Sequence, residues 1–127
     1  MPDLPCSDPM RSLFVYGTLM PGRLRWPLIA ADVVGQRPSA IPGTLYDTGY
    51  GYPALVVGGD RRVPGWLLEL SERAPTVLEQ LDVVEGPHYR RTDVTTVDGI
   101  RALTYAYIGD PAGFTVLDGP WDRDDER

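Results

Sequence analysis

A strand with no polar face, closed by a glycine, constrains this chain more than any other feature. Leu13, Phe14, Val15 and Tyr16 run without a polar residue and end on Gly17. A half-buried strand alternates polar and apolar side chains, so this one is expected to be covered on both faces. Thr18, Leu19 and Met20 follow, then the turn pair Pro21-Gly22. Glycine has no Cβ, so Gly17 lets something come close to the backbone. Free N–H groups in such a loop can line a pocket and suit an anion such as a carboxylate. The plainer reading of the same residues is a strand followed by two turns. A nucleotide-triphosphate loop is excluded. Gly17 and Gly22 have its G-x-x-x-x-G spacing, but Arg23-Leu24 stand where Lys and Ser or Thr are needed.

The 127 residues suit one domain. A chain of this size buries roughly two-thirds of its unfolded surface and can hold a core without disulfides. Cys6 is the single cysteine, and no Cys/His cluster is spaced for zinc. A reducing, cytoplasmic setting is expected. The opening Met1-Pro2-Asp3-Leu4-Pro5 has neither a charged nor an apolar leader pattern. Net charge is −6, and all 12 basic residues are Arg. The missing lysine excludes Schiff-base chemistry and a lysine general base. An acidic chain with no basic run is a poor partner for nucleic acid. No apolar run reaches the ~20 residues of a membrane helix.

The expected organisation is a disordered segment over residues 1–11, one domain over 12–117, and an acidic tail over 118–127. A short helix is predicted from Arg23 to Ala31, with Leu24, Leu28 and Ile29 on one face and Pro27 in its first turn. Strand signals then run from Val33 to Leu70. Asp47 to Pro53 is a glycine- and tyrosine-rich loop, and Gly58-Gly59-Asp60 reads as a hairpin turn. Pro75 to Asp82 is a helix, with Pro75 at a first helical position and Val77, Leu78 and Leu81 on its inner face. Thr92–Val97 and Arg101–Ile108 pair across Asp98-Gly99-Ile100. Strands outnumber helices without a regular β-α repeat. The fold class is α+β: a small mixed β-barrel or strongly bent sheet with two short helices.

The second informative stretch is Leu81-Asp82-Val83-Val84-Glu85-Gly86-Pro87-His88-Tyr89-Arg90-Arg91. A carboxylate where a helix ends can lie against apolar walls. Desolvation then raises its pKa and makes it a better proton acceptor. Against this, Glu79, Asp82 and Glu85 are spaced as on the wet side of a helix. His88 has no visible partner and is set aside as incidental. Of Arg90 and Arg91, which alternate across a strand, one faces a carboxylate or ligand and the other solvent.

Together the two stretches resemble the γ-glutamylcyclotransferase-like family. Phe14-Val15-Tyr16-Gly17-Thr18-Leu19 is similar to its [FV]-x-Y-G-[ST]-L signature. Leu81-Asp82-Val83-Val84-Glu85-Gly86, with Tyr89 and Arg91, is similar to its L-D-x-x-E-G-x-x-Y-x-R signature. Pro53-Ala54, Gly65-Trp66 and the late Tyr105-Ala106-Tyr107-Ile108 also fit, so the resemblance covers residues 13–108. The short length matches the compact branch that includes γ-glutamylaminecyclotransferase and small bacterial members. The resemblance implies cyclisation of a small-molecule γ-glutamyl substrate to 5-oxoproline, with release of an amine and no metal or organic cofactor. It implies Glu85 as the catalytic acid/base and Tyr16, Gly17, Thr18, Leu19 and Tyr107 as substrate-binding residues. Two departures stand out: Thr18 where Ser is common, and Tyr105 where many members place Trp. Neither the amine released nor the oligomeric state follows. A non-catalytic small-ligand module on the same fold is the alternative. An acidic partner-binding domain acting through the tail is a third reading.

Overall fold

The computed structural model describes residues 11–121. The elements are β1 (Ser12–Val15), β2 (Val33–Asp47), β3 (Pro53–Leu70), α1 (Ala74–Glu85), β4 (Tyr89–Thr95), β5 (Arg101–Tyr107) and β6 (Thr115–Leu117). The six strands form one mixed sheet in the order β4-β5-β1-β3-β2-β6. β1 is interior, as its unbroken apolar run requires. It pairs antiparallel with β3, Phe14 opposite Leu67, and parallel with β5, Leu13 opposite Leu103. Leu13, Phe14 and Val15 are all buried. The Thr104 hydroxyl donates to the Phe14 carbonyl at 2.9 Å, a further tie between β5 and β1.

The sheet bends but does not close into a barrel. The Val97 N–H donates to the Ala40 carbonyl at 2.9 Å, which folds the end of the β4–β5 hairpin back onto β2. Among the described residues, the edge strands β4 and β6 do not pair with one another. Gly58-Gly59-Asp60 does not separate two strands, because β3 runs through it. Arg62 lies opposite Pro42 and Val57 opposite Gly43, so residues 58–61 bulge out of the β2–β3 ladder. Gly58 and Gly59 have φ of 97° and 88°, which makes that excursion cheap.

The expected first helix is two short 3-10 turns instead, Trp26–Leu28 and Ala30–Asp32. Their bonds run from residue i to i−3: Leu28 N–H to Arg25 O, and Ile29 N–H to Trp26 O. Pro27 has no N–H to extend an α-helical ladder. Leu24 and Leu28 are exposed and only Ile29 is buried, so no apolar face rewards a longer helix. The second expected helix is present as α1, longer at both ends, and buries Ala74, Val77, Leu78 and Leu81.

Core packing runs past residue 118, where the acidic tail is expected to begin. Trp121 is 1% exposed and belongs to the core, and Arg61 pairs with Asp118 at 2.9 Å. Packing therefore continues to Trp121, while residues 122–127 lie outside the described residues. So do residues 1–10, on which the expected disordered segment falls. Arg11 is anchored, its Nε donating to the Leu70 carbonyl at 3.0 Å.

The tightest point of the sheet is Gly65, beside the end of the β1–β3 ladder. A Cβ there would collide with the Val15 carbonyl and lie 2.7 Å from the Phe14 ring. Both neighbours are buried and cannot give way. Gly65→Ala is expected to destabilise the protein by about 2 kcal/mol or more. Urea unfolding at neutral pH measures this, and a change under 0.5 kcal/mol, on the order of a neutral surface substitution, contradicts it.

Candidate active site

α1 ends at Glu85 because Gly86 takes φ 84°, a backbone region that side chains avoid. The Gly86 N–H donates to the Asp82 carbonyl at 3.2 Å and closes the last turn. With Val77, Leu78 and Leu81 inward, Glu79 is exposed while Glu85 is partly buried. Glu85 lines a cavity of about 230 Å³, which is small for a ligand site. Tyr16, Gly17, Thr18 and Leu19 line the same cavity. The two sequence stretches thus meet in space.

The loop after β1 uses its carbonyls and leaves amides over. The Gly17 carbonyl accepts from Met20 N–H at 3.0 Å, and the Thr18 carbonyl from Arg25 N–H at 2.7 Å. The N–H groups of Thr18 and Leu19 have no acceptor among the described residues. Gly17 permits a close contact within the protein itself. A Cβ at this position would lie 2.9 Å from Cγ of Pro53, so the close contact is to the Pro53 ring.

Three tyrosines brace the walls. The Tyr16 hydroxyl donates to the Tyr105 carbonyl at 2.5 Å, and that of Tyr89 to the Pro53 carbonyl at 2.7 Å. The Tyr105 hydroxyl reaches Asp82 Oδ1 at 2.7 Å and the Leu78 carbonyl at 3.1 Å. Arg91 pairs with the other Asp82 oxygen at 3.2 Å, while Arg90 is exposed. Asp82 and Arg91 therefore tie the end of α1 to β4 and β5 and hold Glu85 in place. Burial, and secondarily the charge of Glu85, raises the pKa of Tyr16 and of Tyr89. Burial, then the bond to Asp82, raises that of Tyr105. All three stay protonated at neutral pH.

The Glu85 carboxylate has no hydrogen bond or ion pair with any described residue. Burial lifts its carboxyl from 4.5 to about 7, partly opposed by the Arg25 guanidinium. Arg25, Tyr52, Pro53, Val84, His88, Tyr89 and Tyr105 complete much of the lining. His88, set aside from the sequence, sits at this wall. Tyr52 falls within the tyrosine-rich loop that the sequence had marked. Arg25 carried no such mark, because the residues around it read as a helix. Tyr107 does not line the cavity. Its ring packs edge-on to Tyr89, with centroids 5.5 Å apart, and touches the site through that residue. Among the described residues, no three His, Cys, Asp or Glu side chains gather in a metal-binding cluster. No helix among them is long and apolar enough to cross a membrane.

The gamma-glutamyl cyclotransferase, AIG2-like family matches residues 13–123. The chain belongs to that family and is an enzyme of its type. Among its relatives is the gamma-L-glutamyl-butirosin B gamma-glutamyl cyclotransferase of Niallia circulans. The two are 36% identical over 116 residues, which is 91% of this chain and 70% of that one. The fold is shared with an AIG2-like protein from Mus musculus, at 20% identity and TM-score 0.67, covering 88% of each chain. It is shared also with a protein from Pyrococcus horikoshii, at 24% identity and TM-score 0.61, covering 84% of this chain and 85% of that one.

The pKa of Glu85 links the site to stability. Its folded pKa is raised, so its contribution is full below about pH 4.5 and is lost as pH rises through about 7. Glu85→Gln is therefore expected to match the native protein in stability at pH 4 and exceed it at pH 8. The gain at pH 8 is at most about 3 kcal/mol, and less to the extent that water reaches the carboxylate. Denaturant titrations at the two pH values check the sign, and a variant less stable than native at pH 8 contradicts it.

Proposed function

We propose that this enzyme closes the γ-glutamyl group of a γ-glutamyl-amine or γ-glutamyl-amino-acid into 5-oxoproline and frees the amine, with Glu85 as general base and then general acid. The observation that carries this is Glu85 itself. It is unpaired, has a pKa near neutrality, and lies in one cavity with the spare amides of Thr18 and Leu19. Those amides suit the substrate's α-carboxylate. Held there, the glutamyl chain folds so that its α-nitrogen meets its own γ-carbonyl. Attack within one molecule captures much of the rate advantage through positioning.

The α-nitrogen begins as an ammonium and has no lone pair to donate. The Glu85 carboxylate takes a proton, and the nitrogen then bonds to the γ-carbonyl carbon as the carbonyl electrons move to oxygen. When they return, the bond to the leaving nitrogen breaks while Glu85 delivers a proton to it. Freed of that proton, Glu85 takes a second from the ring nitrogen and passes it to the departing amine, so that of the three protons on the α-nitrogen one stays on the ring amide and two end on the released ammonium. A carboxyl group with pKa about 7 can both accept and give back a proton near neutral pH. Tyr16, with the loop that follows it, shapes the glutamyl side, and Tyr107 contributes by bracing the Tyr89 ring.

Glu85→Gln keeps the size and hydrogen bonding of the side chain but cannot accept the proton. It is expected to lower kcat on the order of 10²–10⁴-fold with KM little changed. The assay is release of 5-oxoproline from a panel of γ-glutamyl compounds that includes glutathione. Near-native turnover by the variant would remove Glu85 from the role. Binding of these compounds by the native protein without turnover would favour a ligand-binding module. The native kcat/KM should rise with pH through an apparent pKa of about 7, as Glu85 loses its proton. A flat profile between pH 5 and 8 would contradict the assignment.

A further inference from the structure

Arg25 is the only arginine among the residues that line the cavity, and no lysine is available in this chain. Its position is set from the loop itself, since its backbone N–H donates to the Thr18 carbonyl at 2.7 Å. The next residue, Trp26, opens the first 3-10 turn. The Arg25 side chain is exposed and makes no ion pair or side-chain hydrogen bond with a described residue. A guanidinium that lines a small cavity and has its donors unspent presents a planar fork suited to a carboxylate.

The Arg25 charge lowers the pKa of Glu85, but the reaction proposed above gives its hydrogen-bond donors no task. The α-carboxylate goes to the amides of Thr18 and Leu19, and the α-ammonium goes to Glu85. What remains of the substrate is the leaving group. We propose that Arg25 binds a carboxylate on the leaving amine, so that the preferred substrates are γ-glutamyl-amino-acids rather than γ-glutamyl derivatives of uncharged or cationic amines. The inference rests on the cyclotransferase reading and names the substrate class of the same site.

The charge balance agrees. A γ-glutamyl-amino-acid brings two carboxylates and one ammonium. The cavity offers spare amides and one guanidinium for the first two, and one carboxylate for the third. A cationic leaving group would meet Arg25 in a confined space and be repelled. Tyr52, 40% exposed, also lines the cavity and stacks with Tyr50 at 6.3 Å between centroids. The pair offers an apolar surface for the amino-acid side chain.

The test compares γ-glutamyl-alanine with γ-glutamyl-alaninamide, which differ by one charge at nearly constant shape. The native enzyme is expected to favour the acid by about tenfold in kcat/KM, mostly through KM. In Arg25→Gln the preference should collapse towards one. Arg25→Lys should restore part of it, because a point charge remains without the fork. Equal use of the two compounds by the native enzyme overturns the proposal. So does a variant that loses activity on both in the same proportion, which is the result if Arg25 acts only through its charge beside Glu85. Calorimetry of the two compounds on Glu85→Gln provides a readout independent of turnover. An acid preference in binding that Arg25→Gln removes supports the role of Arg25 even if chemistry is slow. If the native protein neither turns over nor binds either compound, this proposal fails, and the cyclotransferase reading fails with it only if the rest of the γ-glutamyl panel also releases no 5-oxoproline.

Discussion

Everything in this molecule hangs on β1 being paired along both edges. Its residues have no polar face, so the strand is stable only where it is covered above and below and hydrogen-bonded on both sides. β3 and β5 meet that demand with opposite directions, one antiparallel and one parallel. Mixed pairing of this kind places the end of β1 among segments that are distant in sequence. Pro53 opens β3, Tyr105 lies in β5, and both are brought against the loop that follows β1. The cavity is where three non-adjacent segments leave one strand end partly uncovered.

The second requirement is a carboxylate kept from water without being neutralised by a partner. Asp82, three residues earlier on the same helix, is satisfied by Arg91 and the Tyr105 hydroxyl. Glu85 has no such partner and faces tyrosine rings and the first loop. The two acids therefore divide the work. Asp82 is tied up and fixes the end of the helix, while Glu85 is desolvated and free to exchange a proton. A group left in this state costs the fold stability at neutral pH. Nearby tyrosines add little to that cost because burial keeps them uncharged.

Several features were legible because they are local. The apolar run of β1, the apolar face of α1 and the glycine after Glu85 each report on their own neighbourhood. The two motifs, Tyr16 to Leu19 and Leu81 to Arg91, could be placed together only through a resemblance, since nothing in either one points to the other. Other features were misread for identifiable reasons. Leu24, Leu28 and Ile29 have helical spacing, but helical spacing stabilises a helix only when the whole face is covered, and here Ile29 alone of the three is buried. Gly58-Gly59-Asp60 has turn chemistry, yet the flanking residues keep pairing with β2 and a bulge results. Trp121 sits in an acidic stretch that reads as a tail, but one large ring finding the core outweighs its charged neighbours.

The sequence by itself determined that β1 is buried on both faces and which face of α1 turns inward, because periodicity is a property of a few adjacent residues. It also carried the residue types on which the proposed reaction draws: an acid at a helix end, a glycine after a strand, and no lysine. Only the tertiary structure decided what each of these residues meets. Gly17 faces the ring of Pro53, Tyr16 bonds to β5, Tyr107 stands behind Tyr89, and Arg25 turns out to line the site. The pKa of Glu85 belongs to this second group. Desolvation depends on walls contributed by Tyr16, Pro53 and Tyr89, and those walls exist only once strands far apart in the chain have paired.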